Sequence, residues 1–136
     1  MTEFRKVTDA FAVAPQISPE DLAAAAAQGY VLVINNRPDG ESPGQPDSAT
    51  MAAAAKAAGL AYLYNPVQGG PSPANVAAQT EAVDSAGGPV LAFCRSGTRS
   101  IVTWSLGQAQ SGATSRDELV RLGAAAGYDL SPILGR

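Results

Sequence analysis

Pro89-Val90-Leu91-Ala92-Phe93-Cys94-Arg95-Ser96-Gly97-Thr98-Arg99-Ser100-Ile101-Val102-Thr103-Trp104 is the stretch on which the reading of this chain turns. The apolar run up to Phe93 predicts a buried strand, the polar run after it a loop, and the apolar spacing from Ile101 a helix. The chain's one cysteine falls where strand becomes loop. Small and polar residues let a backbone curl with successive N–H groups pointing inward, as an anion nest does. The helix behind it aims its positive end at the same point. Nests and helix N-termini are microenvironments of the kind that activate cysteines. Arg99 can fork two N–H groups onto an oxyanion, which a lysine does less well. A lone cysteine at a strand end is otherwise a small buried hydrophobe. A core strand, however, has no use for Arg-Ser-Gly-Thr-Arg-Ser directly after it. The reading is a nucleophilic Cys94 inside an anion cradle.

Composition narrows the chemistry. The 136 residues suit one domain spanning 1–136 and suffice for a real core. Charged residues are 15% of the chain and the net charge is −3, which argues against a general nucleic-acid binder or an anionic-membrane binder. A single cysteine rules out an internal disulfide. With no histidine there is no Cys–His dyad and no usual zinc site, so no metal and no cofactor are called for. No long apolar span or signal-like leader is read, so the expected location is cytoplasmic. The expected partner is a small anionic substrate, and the oligomeric state stays open.

Working outward, strand and helix signals alternate. Phe4 to Val7 and Phe11 to Ala14 read as a hairpin turning at Thr8-Asp9. Ser18-Pro19-Glu20-Asp21 opens a helix that should stop at Gly29. Tyr30 to Ile34 is a continuous apolar run, as in a strand covered on both faces. Asn35 to Pro46 is loop, and Asp47 caps a helix running to Gly59. Ala61 to Tyr64 is a strand, Asn65 to Pro71 a loop, and Ser72-Pro73 starts a helix ending near Gly87-Gly88. A helix to about Gln110 follows the Cys94 loop. The last helix spans Thr114 to Ala126, with Asp117 placed for a capping box on Thr114. The fold class is therefore α/β, three-layer, with a mostly parallel central sheet flanked by helices. Ligands in such sheets bind outside the C-terminal strand ends, where the loops after Ile34, Tyr64 and Phe93 meet.

Cys94 to Ser100, together with Val33-Ile34-Asn35-Asn36-Arg37-Pro38-Asp39-Gly40-Glu41, closely resembles a bacterial family. It is the phosphatase-like domain, formerly of unknown function, also found fused to beta-lactamase-fold, persulfide-dioxygenase-like hydrolases. Ala14-Pro15-Gln16-Ile17 and Gly127-Tyr128-Asp129-Leu130 resemble it too, so the likeness covers nearly the whole chain. It implies a cysteine-phosphatase-like fold, close to dual-specificity and tyrosine phosphatases. Members of the family have been labelled either phosphatases or sulfur transferases.

Position by position, the resemblance makes Cys94 the nucleophile, Arg99 the anion-binding arginine and Ser100 the hydroxyl that bonds the thiolate during turnover. Arg95, Ser96, Gly97 and Thr98 bind substrate through the loop, with Gln68 and Arg37 alongside. Three departures stand out. Tyrosine phosphatases place five residues between cysteine and arginine, whereas Arg95 to Thr98 are four, a length that resembles rhodaneses. Phe93 stands where phosphatases usually carry histidine. Asn65-Pro66-Val67-Gln68-Gly69-Gly70 resembles a loop whose Asp protonates the leaving oxygen, but Gln68 cannot donate a proton in that sense. Asp39 or Glu41 could replace it, and each is otherwise a plain solvated loop acid. The expectation is a cysteine-dependent hydrolase of a phosphate ester, aryl preferred. A rhodanese-type sulfurtransferase forming a Cys94 persulfide is the alternative. A non-catalytic anion-binding or partner domain is the third.

Overall fold

A computed structural model describes residues 3–135. Its strands are β1 (Arg5–Thr8), β2 (Phe11–Ala14), β3 (Leu32–Asn35), β4 (Ala61–Tyr64) and β5 (Val90–Phe93). Its helices are α1 (Pro19–Ala27), α2 (Ser48–Ala57), α3 (Pro73–Ser85), α4 (Thr98–Ser111), α5 (Arg116–Ala125) and the short α6 (Ser131–Leu134). The five strands lie in the order β1-β2-β5-β3-β4. Only β1 runs antiparallel, to β2, while β2, β5, β3 and β4 pair in parallel. The mostly parallel sheet expected from the sequence is thus present, with β5 at its centre.

Alternation along the strands makes two cores, because successive side chains point to opposite faces. Val33, Leu91 and Phe93 pack on one face with Leu22 of α1 and Met51 of α2. Leu32, Ile34, Val90 and Ala92 face the other way, towards Ile101 and Trp104 of α4 and Leu119 of α5. Phe11 stacks on Trp104 with ring centroids 5.0 Å apart, tying β2 to α4. The layer order is helices, sheet, helices.

Local capping behaves as its chemistry dictates. Ser18 and Ser72 each close a reciprocal capping box with the third helical residue, and Asp47 caps α2. The expected box of Thr114 and Asp117 does not form. Ser115 caps α5 by accepting from the Glu118 amide, while the Thr114 hydroxyl donates to Gln108 at the end of α4. Two adjacent hydroxyl residues compete for one cap, and the partner on α4 decides between them. The hairpin strand runs one residue later than expected, at Arg5–Thr8. Tyr30 lies before the ladder, since its amide closes α1 on Ala25. The short α6 has no counterpart in the sequence reading.

One polar contact crosses the apolar interior. Gln79 of α3 is 0% exposed; its Oε1 accepts from Asn36 Nδ2 at 2.8 Å, and its Nε2 donates to the Ser100 carbonyl at 3.1 Å. A Gln79→Leu chain is expected to lose about 1–3 kcal/mol for each buried group left without a partner. A shift in the urea midpoint at unchanged slope reads that loss.

Candidate active site

All four parallel strands end at one edge, and the loops leaving them converge there. Cys94 follows directly on β5 and is 0% exposed. Its Sγ accepts from the Gly97 amide at 3.1 Å, so the loop closes around the sulfur. Among the described residues, the amides of Arg95 and Ser96 donate to no protein group. Thr98 and Arg99 open α4, adding the positive end of that helix. The structure therefore gathers Cys94, Gly97, Thr98 and Arg99 at one strand end, with Arg95, Ser96 and Thr98 exposed.

The loop needs a glycine at its centre. Gly97 has φ +92°, and a Cβ there would lie 2.2 Å from the Tyr128 hydroxyl. That hydroxyl donates to the Ser96 carbonyl at 2.8 Å, bracing the loop from the chain segment behind α5. From the other side the Arg95 carbonyl accepts from the Gln16 amide on the β2–α1 loop.

Arg99 is held by a fork. Its Nη1 and Nη2 donate to the two Glu41 carboxylate oxygens at 2.7 and 2.8 Å, and Nη1 also donates to the Val67 carbonyl at 2.8 Å. A guanidinium has five N–H groups. These three bonds leave one N–H on Nη2 and the Nε–H, which lie on a single edge of the group. That edge is the right shape for two oxygens of one tetrahedral anion. Contact with Glu41 first, and then the nearby Cys94, raises the Arg99 pKa further above its ordinary value, against the effect of burial.

The same fork sets the state of Glu41. Hydrogen bonds from Arg99, with further ones from Arg37, hold its pKa down to about 2 despite some desolvation. Held there, Glu41 is an anion at neutral pH. Asp39, the acid nominated from the sequence, is exposed, and its Oδ1 accepts from the Ser48 amide at the start of α2. An exposed carboxylate beside unsatisfied helical N–H groups finds them first.

Arg37, expected to bind substrate, is 4% exposed, and each of its three guanidinium nitrogens donates within the protein. Its Nε donates to Glu41 at 3.0 Å, Nη1 to Gln16 at 3.0 Å and Nη2 to Ser42 at 2.6 Å. It positions Glu41 and so Arg99. Gln68 is exposed on the β4–α3 loop, next to the Val67 carbonyl that Arg99 grips. Ser100 is buried, and its Oγ has no hydrogen-bond partner.

Sequence reasoning missed Gln16, Gln79, Val67 and Tyr128 as parts of this site. A signal existed for one of them: Gln79 stands three residues after Val76, on the buried face of α3. The Val67 carbonyl is backbone and leaves no trace in residue type.

Two outcomes follow from this geometry. Gly97→Ala is expected to displace the loop, lowering turnover at least 100-fold with the fold retained, whereas Tyr128→Phe removes one brace and costs about tenfold; steady-state kinetics with circular dichroism separate the two. Because Glu41 is depressed from 4.5 to about 2, its stabilising effect is complete above pH 4.5 and lost as pH falls towards 2. In Glu41→Gln, urea unfolding should show a smaller drop in stability between those pH values than in the parent chain.

Known proteins resemble this chain in family and in fold. Residues 3–111 match the family model described as beta-lactamase hydrolase-like protein, phosphatase-like domain. A beta-lactamase hydrolase-like protein of Xylella fastidiosa is 38% identical over 125 residues, 91% of this chain but 29% of that protein. The chain thus spans under a third of the length of the curated relatives it matches. A crystal structure of a candidate phosphatase from Neisseria meningitidis superposes with a TM-score of 0.82 at 31% identity, covering 95% of this chain and 92% of that one. Tk-PTP in its active form has the same fold at 18% identity, with a TM-score of 0.71 over 96% of this chain and 90% of that one. A protein-tyrosine-phosphatase-like fold, with the cysteine loop at its sheet edge, accompanies a family match over most of the chain, and the chain belongs to the beta-lactamase hydrolase-like protein, phosphatase-like domain family.

Proposed function

We propose that this domain hydrolyses phosphate monoesters through a phosphocysteine on Cys94. The observation that carries the reading is the free two-donor edge of Arg99 beside a sulfur that already accepts from the Gly97 amide. Three phosphoryl oxygens sit on that edge and on the loop amides from Arg95 to Arg99. The Cys94 thiolate attacks phosphorus in line, a P–S bond forms, and the ester P–O bond breaks with its electron pair on the leaving oxygen. Water then attacks phosphorus, the P–S bond breaks, and phosphate leaves as the thiolate is restored. Ser100 supplies a hydroxyl to that thiolate; its buried Oγ has no other partner. Donors aimed at the equatorial oxygens are the protein's main contribution.

The choice of ester follows from the carboxylates. Gln68 has no proton to give, Asp39 accepts from the first amide of α2, and Glu41 is held as an anion by two arginines. The departing oxygen leaves unassisted, which favours phenolates over alkoxides; a general acid is otherwise worth roughly 10²–10⁴ in rate.

Sulfur transfer is the second reading, favoured by the four-residue spacing from Cys94 to Arg99 and by its needing no acid. In it Cys94 attacks the outer sulfur of thiosulfate, the S–S bond breaks, sulfite leaves, and the persulfide sulfur passes to a thiol.

Protein free of contaminating phosphatase is expected to cleave p-nitrophenyl phosphate far faster than alkyl phosphates, and Cys94→Ser to abolish this with the fold intact. Arg99→Lys should lose roughly 10²–10³ in kcat, and Arg95→Lys much less. If thiosulfate adds one sulfur to Cys94 by mass spectrometry and no aryl phosphate is cleaved, the phosphatase reading gives way to the second.

A further inference from the structure

Beside the cradle an open apolar groove of ≈ 520 Å³ begins at Thr98 and Arg99 themselves. Val102 and Leu106 continue it along α4, and Pro132 and Ile133 of α6 form a wall. Thr98, Val102 and Leu106 are spaced by four, so they stack on one face of the helix. From Thr98 to Leu106 the groove follows α4 for about 12 Å. Ile133 is 45% exposed, although it is a large apolar side chain. Across the groove, Gly69 and Gly70 present backbone without side chains.

Charge is distributed along this groove in one way only. Among the described residues Arg99, at the cradle end, is its single charged lining residue, and the rest is aliphatic or glycine and proline apart from the Thr98 hydroxyl. A peptide lying here would leave its backbone N–H and C=O groups without partners, which is costly once they lose water. An anionic head on an uninterrupted apolar body meets a partner at each end.

We infer that the groove holds the apolar ester group of an amphiphilic phosphomonoester whose head sits in the Cys94 cradle, with Val102, Leu106 and Ile133 as specificity-determining residues. The inference rests on the cradle being the anion site of the proposed hydrolase. The occupant is a soluble single-chain or aryl-alkyl phosphate. Continuity carries this assignment, since Thr98 and Arg99 belong to both cradle and groove.

The test uses non-hydrolysable alkylphosphonates, so binding is read without turnover. Burying a methylene fully is worth about fourfold in affinity, and half-burying it about twofold. Isothermal titration of the whole chain with methyl-, butyl- and hexylphosphonate, below their micellar concentrations, should give about thirtyfold tighter binding from methyl to hexyl. Ile133→Asp should reduce the hexyl-to-methyl ratio at least fivefold. In parallel, kcat/KM for 4-alkylphenyl phosphates, whose leaving groups are alike, should rise with chain length. A flat phosphonate series overturns the groove assignment even if p-nitrophenyl phosphate is hydrolysed, as does sedimentation showing a second copy seated on Ile133. A steep series in a chain that cleaves no phosphate ester supports the groove and removes the hydrolase reading instead.

Discussion

The bidentate contact between Glu41 and Arg99 is the constraint on which the site depends. It joins residues 58 apart in the chain, one on the β3–α2 loop and one at the start of α4. An arginine so held loses little rotamer freedom when an anion arrives, because its guanidinium plane is already set. Val67 closes the third side through its carbonyl, and Arg37 anchors Glu41 from beneath. Three loops and a helix start are thereby coupled: the loops after β2, β3 and β4 and the first turn of α4 all contribute an atom to the arrangement around Arg37, Glu41 and Arg99. A charge pair with one side chain 20% and the other 27% exposed is not chiefly a stability device; its geometric consequence is the larger one.

That use of carboxylates has a chemical cost. An acid that orients an arginine must stay ionised, and an acid that caps a helix must face the helix. Glu41 orients Arg99, and Asp39 receives the first amide of α2. In the proposed hydrolase, discrimination among esters would fall to the leaving group's own stability and to what its apolar part touches. The aliphatic face of α4 running away from Thr98 is the surface available for that contact.

Beneath the cradle, Gln79 does from α3 what Glu41 does from the β3–α2 loop. By receiving Asn36 and Asn65 and donating to the Ser100 carbonyl, it links the ends of β3 and β4 to the first turn of α4. Buried amides of this kind are specific because each misplacement leaves a polar atom without a partner. The cysteine loop therefore rests on a hydrogen-bonded floor as well as on apolar packing.

The α/β alternation, the helix starts at Ser18, Asp47 and Ser72, and the position of Cys94 at a strand end were all determined by the sequence on its own. Each depends on residues within a few positions of one another: an apolar run, a hydroxyl or carboxylate before a helix, a glycine where φ must be positive. The loop and helix start from Cys94 through Ser100 were legible for the same reason. Tertiary structure alone decided that Asp39 receives the Ser48 amide, that Arg37 is buried as a brace, that Glu41 grips Arg99, and that Tyr128 and Gln79 support the loop from distant segments. Those choices are pairings between polar groups tens of residues apart. Many partners satisfy a given donor or carboxylate equally well until packing fixes the one within reach.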